Sequence, residues 1–164
     1  MKNSIKGNVI LLNNLKGGLI MKIFLGSDME GFELKEKLKK FLMDKKYDVV
    51  DVTMKEKLSS IDAALKVANE VINDGDVSSR GIMIDGYGVE SFMAANKQKG
   101  IICANLFDEH SALMTKRHNN SNMITIGKNI VGDKLAERIV DIFVSSEYDG
   151  GRHQIRVDML NKMC

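Results

Sequence analysis

His118, Arg152 and Arg156 are the side chains whose types and spacing point most directly to chemistry. The two arginines stand four apart, so on a helix they share a face. Gly150-Gly151 before them would let the backbone bring that helix's N-terminal amides close to an anion. Two guanidinium forks match the oxygens of a phosphate through paired hydrogen bonds. A solvated helix face would carry arginines at the same spacing. His118 precedes Asn119-Asn120-Ser121-Asn122, an amide-rich turn that can hold a hydroxyl or fix an imidazole, and an imidazole moves protons near neutral pH. The competing explanation is a helix-terminal histidine whose charge suits the helix dipole. His110 and His153 are weaker candidates, the first on an exposed helical face and the second turned away from the arginine face by helical geometry.

A second group surrounds Asp85-Gly86-Tyr87-Gly88-Val89-Glu90, which follows an apolar run. Glycines in such a turn let backbone amides converge on an anion or an enediolate oxygen. Here acids flank the turn, and two carboxylates would repel an anionic substrate or require raised pKa values. Asp28, at the end of the first apolar run, suits a hydroxyl or imidazole partner and equally a helix cap.

The elements that position these groups follow a βαβ pattern. Short apolar runs at Lys22 to Leu25, Val49 to Val52, Gly81 to Ile84, Ile101 to Ala104 and Met123 to Ile126 have the length of strands buried on both faces. Phe32, Leu34, Leu38, Phe41 and Leu42 fall at helical spacing with lysines on the remaining face. Ile61, Ala64, Leu65, Ala68, Val71 and Ile72 repeat the pattern. Further helices are predicted from Asp108 to His118, from Asp133 through Leu135, Ile139, Ile142 and Phe143, and from Arg152 to Met163, the last leaving the body of the fold. The fold class is α/β: a three-layer αβα, Rossmann-like five-stranded parallel sheet with a protruding C-terminal helix. Ligands of open α/β sheets sit beyond the carboxyl ends of the strands, which directs attention to Ser27 to Gly31, Asp85 to Glu90 and Asn105 to Asp108.

The 164 residues, 44% of them apolar, suffice for one domain with a real core. A formal charge of +2, with acids and bases interspersed, excludes the broad cationic field that nucleic-acid binding requires and points to a small anion. Cys103 and Cys164 form neither a disulfide framework nor a metal-ligand spacing, as expected of a reducing, cytoplasmic setting. Val9-Ile10-Leu11-Leu12 is far too short for a membrane span or signal core. Residues 1–20 read as a leader or disordered extension. Lys16-Gly17-Gly18 matches the translation of a ribosome-binding site, so synthesis is expected to start at Met21, with 21–164 forming the domain.

Arg117-His118-Asn119-Asn120-Ser121-Asn122 and Tyr148-Asp149-Gly150-Gly151-Arg152-His153-Gln154-Ile155-Arg156 together resemble the ribose-5-phosphate isomerase B and galactose-6-phosphate isomerase family. The closing Val157-Asp158-Met159-Leu160-Asn161-Lys162-Met163-Cys164 is similar to one subunit type of galactose-6-phosphate isomerase in particular. In single-gene members a Cys-Gly-Thr-Gly turn after the third strand supplies the base. This chain has Asp85 at the cysteine position and Tyr87 at the threonine, with Glu90 flanking the turn. The family's Asp-His pair after the first strand appears as Asp28-Met29. Asp28, Asp85 and Tyr87 thus mark a degraded half-site. The family builds its site across a subunit interface, and the resemblance implies a heteromer. His118 would open the sugar ring, Asn119 would hold substrate hydroxyls, and Arg152 with Arg156 would bind the phosphate. A LacB-type partner subunit would supply the cysteine. The implied reaction interconverts D-galactose 6-phosphate and D-tagatose 6-phosphate, in lactose and galactose breakdown, without metal or organic cofactor. Two alternatives stay open: a self-sufficient pentose- or hexose-phosphate isomerase using Asp85, and a non-catalytic sugar-phosphate-binding subunit.

Overall fold

The computed structural model describes residues 21–54 and 56–163, so the expectation for residues 1–20 lies outside the described residues. The chain runs β1 (Lys22–Ser27), α1 (Phe32–Asp44), β2 (Asp48–Asp51), α2 (Ser60–Asp74), β3 (Arg80–Asp85), α3 (Val89–Ala95), β4 (Cys103–Asn105), α4 (Glu109–Asn119), β5 (Met123–Gly127) and α5 (Asp133–Ser145). A short 3₁₀ turn, Gly151–His153, leads into α6 (Gln154–Asn161). The strands form one sheet in the order β2-β1-β3-β5-β4, and every pairing is parallel. The expected α/β architecture is therefore present.

Because strand side chains alternate between faces, each central strand feeds two cores. Ile23, Leu25, Ile82, Ile84, Ile124 and Ile126 point to the side covered by Leu34 and Leu38 of α1 and Ile139 and Phe143 of α5. Phe24, Met83 and Met123 point to the side covered by Ala63, Val67 and Ala68 of α2. Each such large side chain contributes about 1.5 to 3 kcal/mol by leaving water. The edge strand β2 is only half-buried.

Four details depart from the sequence pattern. The buried stripe of α2 is rotated: Ile61 and Ile72 are exposed, whereas Ala63 and Val67 are buried, because small side chains let the helix sit close to the sheet. Strand β4 lies two residues later than the apolar run at Ile101. The helix α3 has only seven residues, too few to show a helical period, and follows glycines that read as a loop. Lys35 belongs to a helix whose spacing places its lysines on the face away from the core, yet it is wholly buried. Its Nζ donates to both oxygens of Asp51, at 2.9 and 2.8 Å, and to the Met54 carbonyl at 2.8 Å. Burial alone would raise the Asp51 carboxyl, but hydrogen bonds from Lys35 and Lys39 overcome it and bring it down to about 2.

Candidate functional site

Helix α4 starts at Asp108, whose carboxylate accepts from the Ser111 amide at 2.7 Å, as an N-cap should. It ends at Asn120, which adopts the left-handed conformation (φ 52°) that asparagine tolerates better than most residues. His118 and Asn119 lie on this last turn, His118 half-buried and Asn119 exposed.

The chain returns to this turn after α5. The Asp149 amide donates to the Arg117 carbonyl at 3.0 Å. The Arg117 Nε in turn donates to the Asp149 carboxylate at 2.9 and 3.1 Å. That hydrogen bond from Arg117 holds the Asp149 carboxyl below its ordinary range. Gly150 and Gly151 then take positive φ values of 65° and 57°, a pair of conformations side chains would strain to reach, and start the 3₁₀ turn. As a result the His153 ring lies against His118, centroids 4.2 Å apart and nearly parallel at 7°. His153, expected to turn away from the arginine face, meets His118, a contact that spacing along the chain does not contain; Arg152 and His153 sit in the 3₁₀ turn.

Four basic side chains gather here. Arg152 and Arg156 are both exposed. Desolvation first, then the charges of His118, Arg152 and Arg156, lower the His153 pKa, with Asp149 opposing them. Such a cluster disfavours a further positive charge and favours an incoming anion.

The Asp85 turn lies at the other end of the sheet. Asp85 is the last residue of β3 and pairs with Gly127, the last of β5. Gly81 pairs with Met123, the first of β5, directly after the His118 turn. Four residues of strand separate the two ends, roughly 13 Å at the usual rise. One imidazole and one carboxylate so placed cannot act on adjacent atoms of a single small molecule. The carboxyl ends of the strands therefore hold only the acidic group.

That acidic end is internally satisfied. Asp85, 3% exposed, accepts from the Tyr87 amide at 2.8 Å, the Gly88 amide, the Ser91 amide at 3.3 Å and the Ser91 hydroxyl. Gly88 has φ 78°, and a Cβ there would run into Asn105 Oδ1, so both conformation and space require glycine. The amides that a nest would offer to an anion thus serve the chain's own carboxylate. A cleft of about 360 Å³ beside the turn is lined by Asp28, Glu30, Asp85 and Glu90 without a lysine or arginine. Asp28 closes the turn that leads into α1, accepting from the amide of the N-cap residue Gly31 at 2.8 Å. Burial above all raises its carboxyl, the Gly31 amide opposes this, and the charge of Asp85 adds to it. Tyr87 projects into solvent.

Cys103 is the free cysteine among the described residues. Cys103 is buried in β4, and burial pushes its thiol far above the range where a thiolate forms. Among the described residues no three His, Cys, Asp or Glu side chains are placed to hold a metal ion, and no helix is long and apolar enough to cross a membrane.

Helix α6 stands off the body. Val157 is buried, but Ile155, Met159 and Leu160 are exposed at 70%, 56% and 41%. The apolar spacing that the sequence shows there faces outward in the single chain.

Comparison with known proteins adds the family and its relatives. Residues 23–160 match the family model described as Ribose/Galactose Isomerase. The chain is 55% identical over 144 residues to the galactose-6-phosphate isomerase subunit LacA of Staphylococcus aureus, an alignment spanning 88% of this chain and 100% of that protein. Among solved structures, ribose-5-phosphate isomerase B from Mycoplasma genitalium with bound ribulose-5-phosphate superposes with a TM-score of 0.83 at 34% identity, covering 88% of this chain and 97% of that one. Ribose 5-phosphate isomerase from Thermotoga maritima gives 0.80 at 33% identity, covering 87% and 99%.

Proposed function

The chain belongs to the ribose/galactose isomerase family, and from that premise we propose that it is the LacA-type subunit of a heteromeric galactose-6-phosphate isomerase in the cytoplasm. It interconverts D-galactose 6-phosphate and D-tagatose 6-phosphate together with a LacB-type partner. The observation that carries this reading is the separation of the two ends. A cationic, anion-seeking cluster occupies one end, and a carboxylate bound by its own turn stands where a base is needed.

The division of labour follows. Arg152 and Arg156 bind the phosphate through charge-assisted hydrogen bonds. His118 donates a proton to the ring oxygen and accepts one from the anomeric hydroxyl, opening the ring, while Asn119 holds substrate hydroxyls. The proton then moves between C1 and C2 through an enediolate, which needs a base whose pKa lies near the working pH. A partner thiolate meets that requirement. Asp85 is not free to take that role, because its oxygens are engaged by the amides and hydroxyl of its own turn. The opposed ends make a composite site possible only between chains, with this chain's cationic end facing the partner's cysteine turn.

Reconstitution tests the proposal. The purified chain is expected to show no turnover and to gain it on mixing with a homologue bearing a Cys-Gly-Thr-Gly turn. Isomerisation by the chain alone, abolished in Asp85→Asn, would establish the self-sufficient enzyme instead. A mixture without turnover that still binds the sugar phosphate would indicate a binding subunit.

A further inference from the structure

The His118 turn rests on a buried lysine that the mechanism above does not use. Lys116 lies two residues before His118 and is 2% exposed. Its Nζ donates to Asn120 Oδ1 at 2.7 Å and reaches the Ser121 carbonyl at 3.5 Å. The preceding residue, Thr115, shares a hydrogen bond with the Ser121 hydroxyl at 2.6 Å and receives one from Asn119 Nδ2 at 3.4 Å. Two consecutive side chains of α4 therefore hold Asn119, Asn120 and Ser121 from the interior, and His118 is left facing the tail.

This arrangement is poorly explained by stability alone. The charge that reaches Lys116 is repulsive: it comes from Arg80 on β3, itself 7% exposed. Arg80 donates to the Val77 and Ser79 carbonyls at 3.1 and 3.0 Å, while its buried Nε has no partner among the described residues. The charge favouring Arg80 comes from Asp76. Burying a lysine beside an arginine is costly, and an apolar side chain of similar volume would remove the repulsion. What the Lys116 Nζ contributes in return is a donor aimed at the one left-handed residue of the turn.

We propose that Lys116 is a positioning residue, whose buried Nζ fixes the Asn120 turn so that His118 and Asn119 are presented to the substrate in one geometry. This rests on the functional reading above, and the tests separate the two. Lys116→Met keeps the volume and removes the donor. Asn120→Gly keeps the left-handed backbone and removes the acceptor. In the reconstituted complex each is expected to lower kcat roughly ten- to a hundredfold, the range that a misplacement of about 1 Å produces, with KM within about twofold. The double variant is expected to be no slower than the worse single one, because both remove the same contact. The isolated Lys116→Met chain is expected to melt no lower than wild type.

Wild-type kcat in Lys116→Met, effects that multiply in the double variant, or a loss of activity matched by a loss of thermal stability would each overturn the proposal. A wild-type complex without turnover would defeat the functional reading alone. The positioning role is then read from the imidazole NMR signals of His118 and His153 in the isolated chain. Stacked rings shift each other's resonances, so displacement of these signals in Lys116→Met supports the role, and unchanged signals refute it.

Discussion

Replacing Asp85 with asparagine separates a structural carboxylate from a catalytic one. In the native turn one carboxylate oxygen accepts from the Tyr87 and Gly88 amides, and the other accepts from the Ser91 amide and hydroxyl. Asparagine keeps one acceptor oxygen but loses the charge, which weakens those bonds by about half. Its amide nitrogen then faces the Ser91 N–H, donor against donor, and leaves a buried amide unsatisfied at about 1 to 3 kcal/mol. Relief of repulsion from Asp28, Glu30 and Glu90 offsets part of the loss. The net expectation is about 3 kcal/mol of destabilisation, a fall in Tm of roughly 10 °C for a chain of this size. Thermal denaturation followed by circular dichroism measures it. At a temperature where the variant is folded, the complex it forms with the thiol-bearing partner is expected to keep its kcat. A variant as stable as wild type would show that the hydrogen-bonded turn does not hold this end together. A stable variant whose complex had lost turnover would return Asp85 to the chemistry.

Two further expectations concern the cationic end. Arg152→Ala or Arg156→Ala in the complex should raise KM for the sugar phosphate roughly thirtyfold or more, since orphaning a desolvated charged partner costs about 2 to 5 kcal/mol; steady-state kinetics would show it, and an unchanged KM would remove that arginine from the phosphate site. Burial, followed by the charge of Arg80, lowers Lys116 from 10.5 to about 7. Between those values the unfolded chain binds a proton that the folded chain does not, so stability rises with pH, by at most about 1.4 kcal/mol per pH unit from this group. Urea denaturation at pH 7 and pH 9 should show that rise, and Lys116→Met should flatten it.

The layered fold was legible because its signals are local. The apolar runs at β1, β3 and β5 and the helical spacing of Leu34, Leu38, Ile139 and Phe143 depend only on which side chains avoid water. His118, Asn119, Arg152 and Arg156 were legible as candidates because their motifs are contiguous. Helix α3 was missed because seven residues make less than two full periods. Lys35 was misplaced because its burial depends on Asp51, sixteen residues away, and no neighbouring position records that partner.

Three decisions belong to the tertiary structure. The strand order and register set His118 and Asp85 at opposite ends of the sheet, a separation that spacing along the chain does not contain. The positive φ of Gly150 and Gly151 opens the 3₁₀ turn that carries His153 onto His118, a meeting of two segments that spacing along the chain does not contain. The Asp85 carboxyl folds back onto the amides of its own turn, so its oxygens hold that turn together. Side-chain chemistry is written residue by residue. Which groups meet is settled by the three-dimensional path of the backbone, because electrostatics and hydrogen bonding act over a few ångströms of space whatever the distance along the chain.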